Sequence, residues 1–339
     1  MNSNLNKWRQ AASILLVAKE VSKKSNFNYK LLTVKRGSKL STNPGVTVFP
    51  GGIMEKQADT SKEWLEILKR SGFELNKFIE INTKGDKPPI FTMENSNEIP
   101  RCISLRISAI RETFEESGIL ICRNFNSQET LPWSTCTIIE DIVKWQKKVY
   151  GDPKEFINLC SQYQMYPDLQ SLHDWSNWYT PATIPAKFDT MFFFTAFQTI
   201  PPSFAEQNEV MQLQWATPQE YIEEKLKKSI TLLVPQFYEI SRLNNIYDIN
   251  YLAKFSQERG RKGLQPYFPY QVGTDNGNCF ILPGDDLYPD STCLFNEEKV
   301  YLKKLPQSVV RHRIHVNLSR DTNIEILNYS PLYDHIIPS

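Results

Sequence analysis

Arg111-Glu112-Thr113-Phe114-Glu115-Glu116-Ser117-Gly118 sets three carboxylates within five consecutive positions and then stops on a glycine. At about 100° per residue, Ile103, Ile107, Ile110 and Phe114 share one face of a helix whose opposite face carries Glu112, Glu115 and Glu116. One side packs and the other binds. Like charges at i,i+3 and i,i+4 repel unless something positive lies between them. A divalent cation removes that repulsion, and glutamate oxygens are hard donors that suit Mg2+ or Mn2+, whereas zinc would call for His or Cys ligands. Gly118 suits the left-handed turn that ends a helix, and the apolar residues 119–121 read as the strand that follows. Taken alone, the stretch reads more readily as a solvated acidic helix face.

Upstream, Phe49-Pro50-Gly51-Gly52 closes a strand-like segment. Paired glycines let a backbone carbonyl approach an ion with no side chain in the way. Together, P-G-G and R-E-x-x-E-E-x-G resemble the box of the Nudix hydrolases. The resemblance implies an α/β fold, a Nudix α/β/α sandwich with a mixed central sheet. It implies metal ligands at Glu112, Glu115, Glu116 and the Gly51 carbonyl, with Arg111 holding the glutamates in place rather than touching substrate. Lys35, Arg36, Gly51 and Gly52 become the expected substrate-binding positions. Leu31-Leu32-Thr33 and Lys35-Arg36 resemble a signature found upstream of the box in coenzyme A-directed members.

One departure is plain. Residues 54–105 separate the glycines from the arginine, and the middle glutamate of the box is missing from its usual spacing. A box split in this way, with Leu172-His173-Asp174-Trp175, Phe188-Asp189-Thr190, Pro235-Gln236-Phe237-Tyr238 and Leu282-Pro283-Gly284-Asp285, is similar to the acyl-coenzyme A diphosphatase branch. The expected organisation is a Nudix domain over 1–262, interrupted by the insertion, and a strand-rich extension over 263–339 packed on it.

A chain of 339 residues is long for one such domain and can bury a large core. Its 40% hydrophobic and 12% aromatic content describes a folded protein. With 39 basic and 38 acidic residues there is no basic run to form a nucleic-acid footprint, and the partner that the resemblance implies is a small molecule. Composition leaves the oligomeric state open. The six cysteines form no C-x-x-C pair, which excludes a zinc module and a disulfide framework and points to free thiols in a reducing compartment.

No apolar run reaches the length of a membrane span. Residues 11–18 are short for a signal-peptide core and read as a first strand, while the acid-free start keeps a mitochondrial address open. The resemblance implies a peroxisomal location, yet Ile337-Pro338-Ser339 lacks the small-basic-leucine address, which leaves mitochondrial or cytosolic residence as the alternative.

Residues 8–19 and 29–36 read as two strands flanking a polar loop at 22–28. Within the insertion, 61–69 has helical spacing and 84–100 is loop-like. An insert here overhangs the box and reads either as a substrate cover or as a passive surface excursion. Helices are expected over 138–149 and from Asp152-Pro153 to about Gln164. The aromatic run 172–181 reads as a packing cluster or an adenine platform. Residues 188–200 suggest a central strand, 210–215 another, and Thr217-Pro218 an N-cap leading into a helix over 221–228. A helix continues over 230–243. Glu206 and Glu209 are candidate extra metal or base carboxylates. His312 and His315, with no third ligand in sequence, read as surface residues.

The expected reaction is metal-dependent hydrolysis of the coenzyme A diphosphate. The alternatives are another nucleoside diphosphate derivative, a capped RNA end or, least consistent with an intact R-E-x-x-E-E, a non-catalytic nucleotide-binding module.

Overall fold

A computed structural model of the chain describes residues 5–21, 25–37, 43–93, 95–125, 127, 132–206 and 209–338. Positions 22–24 of the expected loop and Ser339 of the tail lie outside the described residues. The first half contains β1 (Arg9–Lys19), β2 (Tyr29–Arg36), β3 (Thr47–Val48), β4 (Gly51–Ile53), α1 (Lys56–Asp59), α2 (Glu63–Arg70), α3 (Leu75–Thr83) and the long helix α4 (Arg101–Ser117). There follow β5 (Cys122–Asn124), α5 (Ile142–Gly151), α6 (Glu155–Gln162), β6 (Met165–Pro167), β7 (His173–Tyr179), β8 (Phe188–Phe197) and β9 (Val210–Ala216).

β1 is the spine. It runs parallel to β8 from Arg9↔Phe188 to Ala18↔Phe197 and antiparallel to both β2 and β4 on its other edge, so the sheet is mixed. Its side chains alternate between two cores: Ala12, Ile14, Leu16 and Ala18 face α4, while Leu15 and Val17 join the cluster on the far side. β8 alternates likewise, with Met191 and Phe193 on one side and Phe192 and Phe194 on the other. A strand buried on both faces is continuously apolar, which is why residues 11–18 read as hydrophobic without being a leader. The expected sandwich is present.

The insertion is packed into the core rather than a passive surface excursion. Trp64, Ile67, Leu68, Phe78, Ile90 and Phe91 are buried in the same core as Ile103, Ile107, Ile110 and Phe114. Amphipathic α2 and α3 need apolar partners: α2 packs on α6 and β6, with the Trp64 ring against Phe156, and α3 packs on α4. The insertion ends at Pro100, since Arg101 already belongs to α4.

α4 closes on Gly118, whose φ of +69° is the expected left-handed cap. Residues 119–121 form a buried link rather than a strand, with Cys122 N–H donating back to Leu120 O at 2.9 Å, and β5 starts at Cys122. α5 begins at Ile142 rather than 138 and α6 at Glu155, two residues beyond the expected proline start. None of the six cysteines, all among the described residues, is in a disulfide. Among the described residues no helix is long and apolar enough to cross a membrane.

On the far side of the sheet lie α7 (Pro218–Leu226), α8 (Val234–Leu243) and α9 (Ile249–Arg259). α7 has Thr217 as its N-cap and Pro218 at its first position, as expected, with Thr217 and Glu220 closing a capping box, and it ends at Leu226 rather than 228. The rest of the chain adds β10 (Pro266–Tyr267) beside β7, then a second sheet of β11 (Tyr270–Thr274), β12 (Gly277–Ile281), β13 (Val300–Tyr301), β14 (Arg311–Asn317) and β15 (Thr322–Leu327). Phe280 and Ile314 of that sheet, with Leu282 just past β12, share a core with Tyr238 and Ile240 of α8.

His312 is not a surface residue. It is fully buried, its Nε2 at 2.6 Å from the Tyr238 hydroxyl and its Nδ1 at 2.7 Å from the Pro283 carbonyl. Two of the strings singled out in the sequence, Pro235–Tyr238 and Leu282–Asp285, therefore meet at one imidazole. They join the second sheet to α8. The aromatic run 172–181 is likewise a packing cluster, with the Trp175 and Trp178 indole N–H groups both donating to the Glu239 carboxylate at 2.8 Å.

Candidate active site

β4 pairs with β1 so that Gly51 lies opposite Ser13 and Gly52 opposite Ala12. The Ser13 hydroxyl donates to the Pro50 carbonyl at 2.7 Å and fixes the entry to the turn. Gly51 has φ +146°, and a Cβ there would stand 2.4 Å from the Ala12 carbonyl oxygen. Only glycine permits that approach. Its N–H donates to Glu116 Oε2 at 2.9 Å, and a Cβ on Gly52 would fall 2.4 Å from Glu112 Oε2. The two halves of the split box are in contact.

Arg111 is the hub beneath them. Its Nη1 donates to Glu115 Oε1 at 2.5 Å, and its Nη2 lies 3.0 Å from Glu112 Oε1 and 3.1 Å from the Ile53 carbonyl. Nε and Nη2 also clasp Asp59, at 2.8 and 3.0 Å. A planar guanidinium can serve so many acceptors because its donors fan out in a fixed fork. Asp59 escaped the sequence reading: it stands at the end of α1, hidden at the start of the excursion where a glutamate was sought. The available signal was an acid in the first short helix after the glycine pair.

Carboxylates outnumber cations here. Burial first, and then the charges of Asp59 and Glu209, push Glu112 upward despite Arg111. Glu115 is raised to about 8 by burial and then by Glu112, against the pull of Arg111. Glu116 is held well above the carboxylate range by burial and by Glu112, with Gly51 and Arg36 opposing. Arg36 thus reaches the site. A bulge in the β2–β9 pairing falls between Lys35 and Arg36, and Lys35 is not among the leading charges on these glutamates. Glu209 acts electrostatically on both Glu112 and Glu116, and its N–H is held by Glu206 Oε2 at 2.9 Å.

Among the described residues, no three Asp, Glu, His or Cys side chains are already gathered as a metal cage. Arg111 draws Glu115 aside and Gly51 holds Glu116. The donor set nonetheless fits a hard cation: it is all oxygen, and its buried like charges repel without one. A cleft of about 200 Å³ bounded by Phe78, Asn82, Leu172, His173 and Arg261 lies apart from these glutamates.

The central sheet, the helix α4 and the glycine turn place the protein in the Nudix class of folds. The structure of a NUDIX hydrolase from Alicyclobacillus acidocaldarius superposes with a TM-score of 0.53 over 73% of this chain and 96% of that one, at 19% identity. Residues 8–243 match the NUDT19 Nudix domain, and the chain belongs to that family of Nudix hydrolases. It is a Nudix diphosphatase. The chain is 32% identical to acyl-coenzyme A diphosphatase NUDT19 of Gallus gallus, over 100% of its own length and 96% of the relative. It is 31% identical to the Homo sapiens protein of the same name, over 98% and 95%.

Proposed function

We propose that this protein hydrolyses the diphosphate bond of coenzyme A and acyl-coenzyme A, giving 3′,5′-ADP and (acyl-)4′-phosphopantetheine. The observation that carries this reading is the length of the likeness: acyl-coenzyme A diphosphatases match the chain end to end, extension included.

Glu112, Glu116, Glu115 through its Oε2, and the Gly51 carbonyl are the oxygens that would hold Mg2+ or Mn2+. Such ions supply positive charge against the diphosphate oxygens and acidify a water for attack. Arg111 keeps Glu112 and Glu115 from turning away, and the Gly51 N–H does the same for Glu116. Arg36, beside Glu116, is the cation placed to meet an arriving phosphate. Glu209 is the carboxylate positioned to accept a proton, being close to the pair without a bond to Arg111.

The test is a substrate panel with purified protein, following release of 3′,5′-ADP with added Mg2+ or Mn2+ and after chelation. Coenzyme A and its acyl esters should be cleaved faster than nucleotide sugars, dinucleotides or cap analogues, and only with the metal. Faster cleavage of any of those competitors would overturn the substrate assignment.

A further inference from the structure

The last turn of an α-helix leaves carbonyls with no partner inside the helix. In α4 these are the carbonyls of Phe114, Glu115, Glu116 and Ser117, interleaved with the site glutamates. Gly118 N–H closes the first at 2.8 Å. The other three are closed from outside. Phe204 N–H donates to Ser117 at 2.7 Å, Glu206 N–H to Glu116 at 3.2 Å, and the Gln146 side-chain amide to Glu115 at 2.9 Å. The same Gln146 nitrogen donates to the Phe204 carbonyl at 2.8 Å, so one side chain ties the loop to the helix.

Gln146 is buried, with 3% of its surface exposed, and sits on α5 where that helix packs against α4. Gly118 lets the loop come close: a Cβ there would stand 3.2 Å from the Phe204 ring. Beyond the clamp, Glu206 Oε2 accepts from Glu209 N–H at 2.9 Å, and Glu206 O accepts from Val210 N–H at 3.0 Å. The path from Gln146 thus leads to Glu209, a carboxylate outside α4 and the insertion that acts on both Glu112 and Glu116.

We propose that Gln146 is a positioning residue that locks the loop carrying Glu206 and Glu209 onto the end of the catalytic helix. The proposal deepens the hydrolase reading and rests on it for its kinetic consequence, while the clamp itself is independent of substrate and metal. Gln146 touches no reacting atom. It acts by where it holds Glu209.

Gln146→Met conserves volume and removes both hydrogen bonds, and Gln146→Asn keeps the amide but is too short to span both carbonyls. In the metal-free protein, amide exchange at Phe204 and Glu206 should speed up by about tenfold or more in Gln146→Met, with Gln146→Asn intermediate. Turnover should fall by about 100-fold, as a small misplacement of a catalytic group can cost, with KM within about threefold of the parent. Should Gln146→Met not fold, Gln146→Asn carries the same two readings. Unchanged exchange in the variant that folds would overturn the clamp. Faster exchange with unchanged turnover, or a loss confined to KM, would overturn the positioning role. If the parent cleaves some other diphosphate and not coenzyme A, the substrate assignment fails and that other rate becomes the reference for the same comparison.

Discussion

Asp59 and Arg111 stand 52 positions apart and form a two-toothed ion pair, Nε to Oδ1 at 2.8 Å and Nη2 to Oδ2 at 3.0 Å, with both side chains 1% exposed. The pair anchors the start of the insertion to the helix that carries the glutamates. Removing one partner of a buried pair strands the other without compensation. Asp59→Ala should therefore cost about 3–5 kcal/mol, measured by urea unfolding, and should lower turnover because Arg111 loses the contact that fixes its plane. A loss below about 1 kcal/mol, the range of a surface pair, would mean that Arg111 is held by the glutamates alone.

The two glycines of the turn should fail in different ways when given a methyl group. At Gly51 the added Cβ meets backbone, the Ala12 oxygen at 2.4 Å and Ser13 Cα at 2.5 Å, in a conformation with φ +146°. Strain of that kind costs about 1–3 kcal/mol even before the clash, so Gly51→Ala should lower the melting temperature substantially. At Gly52 the three atoms nearest the Cβ all belong to the end of the Glu112 side chain, which can swing aside. Gly52→Ala should keep most of its stability and lose most of its turnover. Equal stability losses in the two variants would show that Glu112 is not free to move.

Glu116→Gln separates charge from shape. The amide can still accept the Gly51 N–H through its oxygen, while the buried charge that repels Glu112 disappears. Melting temperature should hold or rise, and turnover should fall by about 100-fold or more, since one anionic metal ligand is gone. Titration with Mn2+ should show weaker binding by the variant. Near-normal turnover would remove Glu116 from the site.

The sequence carried this site unevenly, for physical reasons. Strands β1, β2, β8 and β9 were legible because their apolar runs are long and bounded, and the end of α4 because a glycine follows three glutamates. The link at 119–121 was misread since a short buried apolar run looks the same whether or not a neighbouring strand pairs with it. His312 was misplaced because burial of an imidazole depends on acceptors and rings brought from elsewhere, here Pro283, Tyr238 and Tyr329. Asp59 was missed for the same reason: nothing near it in the chain marks an acid as the partner of an arginine 52 residues on. Gln146 gave no signal at all, for a lone glutamine in an amphipathic helix is ordinarily solvated.

Asp189 offers a test of burial away from the site. It lies on the α4 side of β8, held at about 7 because burial outweighs the hydrogen bonds from Asn177 and Tyr179. In the unfolded chain the same carboxyl titrates near about 3.9. The folded value is the higher one, so folding is favoured while the group is protonated. Its contribution is complete below about pH 4 and is lost as pH rises through about 7, a change of up to about 4 kcal/mol by linkage. Asp189→Asn keeps an acceptor for Asn177 and cannot ionise. Urea unfolding across this range should find the parent losing stability relative to the variant as pH rises, the gap opening mainly between about pH 4 and about pH 7. Parallel stability curves for the two proteins would mean that the carboxyl ionises in the fold as readily as in water, and that the polar row formed by Gln10, Asp189 and Tyr179 across β1, β8 and β7 is hydrated.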